Sequence, residues 1–139
     1  MAQEEASAVN REEDIREWVE YAEADRLSAQ NAFNAADYRD VAFHCHQAIE
    51  KLLKAAIVAQ TGQRPPYTHN LWKLAQAVQG LTIPPEIGDK MASINPHYII
   101  SRYPTGIRTD YTKEIAEELL QTMQEVYQWL MEKLRLSSA

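Results

Sequence analysis

The sequence predicts an all-α protein: an up-and-down antiparallel bundle of about five helices, four forming the core and one short. Three observations carry this. Apolar residues recur every three to four positions through long segments. Strand-like alternation is nearly absent, and there are only four glycines. Prolines and glycines gather in short connections, where they end helices. At 139 residues, 45% of them hydrophobic, the chain suits one domain with a proper core rather than two.

The elements follow in order. Residues 1–10 are expected to fray, with a single domain over 11–136. A first helix runs from about Glu12 to Asn34, with Trp18, Tyr21, Ala22, Leu27 and Phe33 near helical spacing. After Ala35 and Ala36, Asp37 is placed to cap a second helix of about Tyr38–Gln60. Its stripe is Tyr38, Val41, Cys45, Ile49, Leu52 and Ala56, and Gly62 ends it. Pro65 and Pro66 force a loop. Thr68 then caps a short helix of about His69–Gln79 that buries Leu71, Leu74, Ala75 and Val78. Pro84 and Pro85 start a fourth helix reaching about Arg102, burying Ile87, Met91, Ile94 and Tyr98, and Pro96 should kink or split it. A loop with Pro104 and Gly106 leads to a last helix, about Lys113–Leu134, striped by Ile115, Leu119, Met123, Val126, Leu130 and Leu134.

The formal net charge is −6, but nine acids lie in residues 1–25 against Arg11 and Arg16. The remainder is close to neutral, so a local basic site is compatible with the total. A broad positive field for coating DNA is not, and no sequence-specific DNA binding is expected. The single cysteine, Cys45, cannot form an intrachain disulfide, which fits a reducing cytoplasm. No apolar run is long enough to span a bilayer, and the polar, acidic beginning does not resemble a signal peptide.

Several chemistries lack their residues. There are no Glu-x-x-His pairs for a di-iron bundle, and one cysteine with four scattered histidines makes no zinc set. His44 and His46 point about 160° apart on a helix, so they do not share an ion. A glycine-rich phosphate loop and a Gly-x-Ser-x-Gly elbow are also missing. No metal or cofactor is expected.

On the second helix, Phe43, Gln47, Glu50 and Lys54 fall opposite the apolar stripe. Phe43 is then an aromatic on a polar face, either an interface residue with Gln47 and Lys54 or covered by another helix. His46 and Glu50 are four apart and can pair along one flank.

Three segments carry a resemblance. The run Gln47-Ala48-x-Glu50-Lys51-x-Leu53-Lys54-Ala55, the segment Pro66-x-Thr68-His69-x-Leu71-x-x-Leu74, and Arg102-Tyr103-Pro104 resemble, in that order, elements of the HEPN domains (higher eukaryotes and prokaryotes nucleotide-binding). His46 stands where that family has the first of two glutamines. The resemblance spans about residues 15–135. It implies a helical bundle, usually dimeric, often working beside a minimal nucleotidyltransferase and in some members as a toxin–antitoxin component. Other members are metal-independent ribonucleases with an Arg followed after four to six residues by His. Arg102 matches the arginine, but Ile107, Arg108 and Thr109 occupy the histidine's places. Arg39 precedes His44 and His46, and Arg64 precedes His69, at the bare spacing but away from the family's position.

The leading site residues are Arg102, for bidentate phosphate contact, and Tyr103, for base stacking. Arg108 and Lys51 are further cationic candidates. An ion pair between Arg102 and an acid such as Glu50 is the structural alternative. His69 either lines the same mouth or caps the third helix, and Trp72 and Trp129 are read as core or interface. Three readings stay open. One is a homodimeric nucleotide- or RNA-phosphate-binding module with a nucleotidyltransferase-type partner. Another is a metal-independent endoribonuclease using Arg102 with a histidine from elsewhere, such as His69, or from the other subunit. The third is a purely structural dimerising bundle.

Overall fold

The computed structural model describes residues 2–104 and 110–134, with side chains from Arg11 onward. Six helices are described: α1 (Ala2–Asn34), α2 (Tyr38–Thr61), α3 (Leu71–Ala77), α4 (Pro85–Ile94), α5 (His97–Ile100) and α6 (Lys113–Leu134). The all-α antiparallel bundle expected from the sequence is what the chain forms. None of these helices is long and apolar enough to cross a membrane.

Helix α2 is the axis of the bundle, packed by α1 and α6 along its length and by α3, α4 and α5. Every residue from Leu52 to Val58 is buried. Its predicted stripe of Val41, Cys45, Ile49, Leu52 and Ala56 lies in the core. The face read as polar is covered as well: Glu50 is 3% and Lys54 7% exposed. Gln47 is half-buried. A helix surrounded on all sides cannot spend one face on solvent. Its polar residues therefore meet partners inside the chain.

The face of α1 differs from the expected one. Val19, Ala22, Asp25 and Ala29 are buried, whereas Tyr21 is 53% and Leu27 50% exposed. Small residues at Ala22 and Ala29 let α1 lie close against α2, and the larger side chains fall outside that line.

Local signals account for most boundaries. Ala36, at φ 62°, closes α1, with the Asp37 N–H donating to the Ala32 carbonyl at 2.8 Å. Asp37 occupies the cap position of α2 but makes no side-chain cap bond. Gly62 takes the left-handed conformation after α2 and donates to Val58. Asn70, not Thr68, caps α3: its Oδ1 accepts from Trp72 and Lys73. His69 thus precedes the helix rather than capping it. Pro96 splits the predicted fourth helix into α4 and the one-turn α5. On α6, Leu119, Met123, Val126 and Leu130 are buried and Leu134 is half-buried, while Ile115 is 37% exposed at the start. Trp129 packs on the core, and Trp72 is 47% exposed.

Candidate functional site: an aromatic cluster around Tyr98

The break at Pro96 turns α5 back onto α2 and brings Tyr98 over its middle. Tyr98 is the hub of a ring cluster. The His69 imidazole stacks on it at a centroid distance of 3.8 Å and 16° between planes. His46 lies at 5.4 Å, Phe43 at 6.1 Å and Tyr103 at 6.4 Å. Tyr67 extends the row from His69 at 6.3 Å and is fully exposed. Burial, then the neighbouring Tyr103, pushes the Tyr98 phenol above its ordinary value, so it stays neutral.

Arg102 and Tyr103 sit in the turn that follows α5. The Arg102 guanidinium lies over the Phe43 ring, its carbon 3.8 Å from the centroid. Its ion-pair partner is Asp40 at 3.3 Å, not Glu50. Both side chains of that pair are more than a third exposed, so the pair is screened and weak. A guanidinium has five N–H donors, and Asp40 engages one terminal nitrogen. Tyr103 is 56% exposed. Phe43, read from the sequence as an aromatic on a polar face, is half-buried beneath Arg102 and beside Tyr98 of its own chain.

Behind the rings is a buried polar network. Glu50 accepts from His69 Nδ1 at 2.8 Å on one oxygen and from Lys54 Nζ at 3.1 Å on the other. His46 Nδ1 is 3.8 Å from the same carboxylate and 3.2 Å from Gln47 Oε1. His46 is wholly buried, and burial lowers its pKa, so it is neutral. Its Nε2 is the one buried side-chain polar atom without a partner among the described residues.

The other candidates turn elsewhere. Lys51 reaches α1, where Asp25 accepts from Lys51 Nζ at 2.5 Å and pairs with His44 Nδ1 at 2.8 Å. Lys54 is held by Glu50 and lies over Trp18 at 5.5 Å. Neither lysine is a free cation at the mouth. Arg108 lies outside the described residues. Cys45 is buried, and burial raises its thiol pKa, so it stays unreactive. Among the described residues no group of three or more His, Cys, Asp or Glu is arranged to hold a metal.

Arg102 and His69, 33 positions apart, thus flank one cluster: Arg102 through Phe43, His69 by stacking on Tyr98. Sequence reasoning missed Tyr98 as the hub and Glu50 as the acceptor for His69. The His46–Glu50 spacing was the available signal for the buried network. Nothing local signals the contact between residues 69 and 98.

The arrangement of a bundle, a His-bearing entry to the third helix and an Arg-Tyr-Pro turn agrees with a comparison across protein families. The HEPN domain family matches residues 15–134. The chain belongs to the HEPN family. Among solved structures, this HEPN domain is similar to TT1696 from Thermus thermophilus, with 26% identity and a TM-score of 0.77. It is also similar in fold to ST0689, an archaeal HEPN homologue, at 24% identity and a TM-score of 0.68. Each comparison covers 86% of this chain and 97% of the other. No curated protein matches the HEPN chain.

Proposed function

We propose that this HEPN protein is a binding module that holds a nucleotide, or the phosphodiester of an RNA, at the aromatic cluster around Tyr98. The observation that carries this is the pairing of Arg102, its guanidinium over Phe43, with the exposed ring of the following residue, Tyr103. Arg102 has donors to spare for a phosphate, and its exposed contact with Asp40 is easily displaced. Tyr103 offers a free π-face to a base. The family resemblance extends the reading. The protein works as a homodimer beside a nucleotidyltransferase-type partner, as one component of a toxin–antitoxin pair.

The test is a fluorescence-anisotropy titration with labelled ATP and a labelled short RNA, against wild type, Arg102→Ala and Tyr103→Ala. Binding by wild type that weakens at least about tenfold in each variant supports the reading. Equal affinity in all three removes Arg102 and Tyr103 as the site.

A second reading is favoured by the position of His69. An arginine and a histidine flank the same ring cluster, as a metal-independent ribonuclease needs for the phosphorane charge and for proton transfer. Metal-free incubation with total RNA and a tRNA pool separates the two readings. Cleavage by wild type that disappears in Arg102→Ala and in His69→Ala supports the nuclease, and intact RNA throughout retires it.

A further inference from the structure

The contact between Glu50 and His69 does more than join two elements. Glu50 is 3% exposed and sits between Lys54 and His69. A carboxylate oxygen only accepts, so the imidazole nitrogen facing it, Nδ1, is the one that bears the hydrogen. A half-turn of the ring would keep its stack on Tyr98 at 3.8 Å but put Cδ2 where Nδ1 stands and lose the bond to Glu50, so that bond holds the ring in this orientation. In neutral His69 the remaining nitrogen, Nε2, therefore carries a lone pair. No described group bonds to Nε2, and it is not among the buried atoms left without a partner. It therefore keeps access to solvent, in a side chain that is 38% exposed.

The groups around His69 maintain this pattern. From α2 they are Glu50, Lys54 and His46, from α5 Tyr98, and from the preceding loop Tyr67. Lys54 Nζ is a donor held by Glu50, and His46 Nδ1 faces Gln47 Oε1 at 3.2 Å, so the Glu50 carboxylate is the acceptor that meets His69 Nδ1.

We infer that Glu50 is a positioning residue that fixes His69 as an outward-facing hydrogen-bond acceptor, so that the site selects a ligand bearing a hydroxyl there, a ribonucleotide over a deoxyribonucleotide. This rests on the nucleotide-binding reading above and adds a second contact to it. Arg102 meets the phosphate, and His69 Nε2 accepts from the 2′-hydroxyl, the group that distinguishes RNA from DNA. A site built to bond a hydroxyl rejects the analogue lacking it, because the site's own polar atom is left unpaired.

The test is anisotropy with a fluorescein-labelled short RNA and the DNA of the same sequence, on wild type, Glu50→Leu and His69→Phe. Nitrogen-15 NMR of the His69 ring in the wild type accompanies it. The expected result is RNA bound at least about tenfold more tightly than DNA. Both variants lose that preference while still binding DNA, and the wild-type ring shows the Nδ1–H form. Equal binding of RNA and DNA by wild type overturns the hydroxyl contact and leaves the Arg102 and Tyr103 reading standing. An RNA preference kept in Glu50→Leu overturns Glu50 as the positioning residue. If neither probe binds wild type, the binding reading and this inference fall together. Should Glu50→Leu not fold, His69→Phe and the wild-type ring signal decide, and an Nε2–H ring overturns the inference.

Discussion

The guanidinium of Arg102 lies over the ring of Phe43, its central carbon 3.8 Å from the centroid, and reaches Asp40 at its edge. A residue left open between an interface and a covered face, and a residue expected to meet a ligand, thus hold each other in place. The ion pair is exposed and contributes about 0–1 kcal/mol, and the cation–π contact contributes about 0.5–1 kcal/mol. Arg102→Ala should therefore lower unfolding free energy by about 1 kcal/mol, and Asp40→Ala by about half of that or less. Urea melts of both single variants and the Phe43→Ala pairings measure these contributions. A loss above about 3 kcal/mol in Arg102→Ala would place Arg102 in the structural framework instead.

Asp25 is a polar hub between α1 and α2, taking Lys51 and His44 on its two oxygens. Asp25→Ala leaves two cationic or polar groups without an acceptor and should cost about 2–4 kcal/mol in chemical denaturation. Burial alone would raise its pKa, but the hydrogen bonds from His44 and Lys51 together outweigh it and the value is lowered. A carboxylate depressed in the folded state adds stability that is complete above its unfolded value of 3.8 and is lost as pH falls through the folded value. Acid unfolding should therefore shift to higher pH in Asp25→Asn.

His46 works with the opposite group chemistry but in the same direction of pH. Its burial lowers its pKa below 6.5, so the folded state resists the proton that the unfolded state accepts. Stability is complete above about pH 6.5 and declines as pH falls below it. His97 is lowered as well, again mainly by burial, and adds to the same slope. The dependence of melting temperature on pH between about 5 and 6.5 should flatten in His46→Gln without vanishing. An unchanged slope would count against a neutral buried His46.

Ala36 holds a left-handed φ of 62° at the end of α1, where a side chain carries a steric penalty. Ala36→Gly should stabilise the fold by about 0.5–1 kcal/mol, net of the extra freedom glycine gains in the unfolded chain. Thermal and urea melts should both rise. A loss of stability would mean that the turn gains little from relieving that conformation.

How much of this is legible in the sequence depends on what sets each feature. The α2 stripe and the Pro96 break follow local rules, a helical period and a missing N–H, and both are visible in the chain. The buried face of α1 is not, because Ala22, Asp25 and Ala29 pack there while Tyr21 and Leu27 turn outward. Close approach between helices selects small residues, and a hydropathy pattern favours large ones. The buried Glu50 and Lys54 read as a polar face because a period shows which side is apolar, not how many neighbours surround the helix. Resemblance to a family picks out Arg102, Tyr103 and His69. It does not reveal their meeting around Tyr98, since that depends on how a one-turn helix lands on α2.

That one-turn helix has a consequence of its own. Tyr98 stands on α5, whose four residues include none that is fully buried, and Arg102 and Tyr103 follow in its closing turn. A single turn is not stable by itself. It is held by the ring stack and by a few bonds, such as Arg39 to the Ser101 carbonyl at 3.4 Å and His97 Nδ1 with the Tyr111 hydroxyl at 2.7 Å. The segment bearing the site should therefore open more readily than α1, α2 and α6. Its amides should exchange with solvent ahead of those of α2, and an occupant bridging Tyr103 and His69 would slow them first. The site's order becomes a reporter of occupancy, readable without any assay of activity.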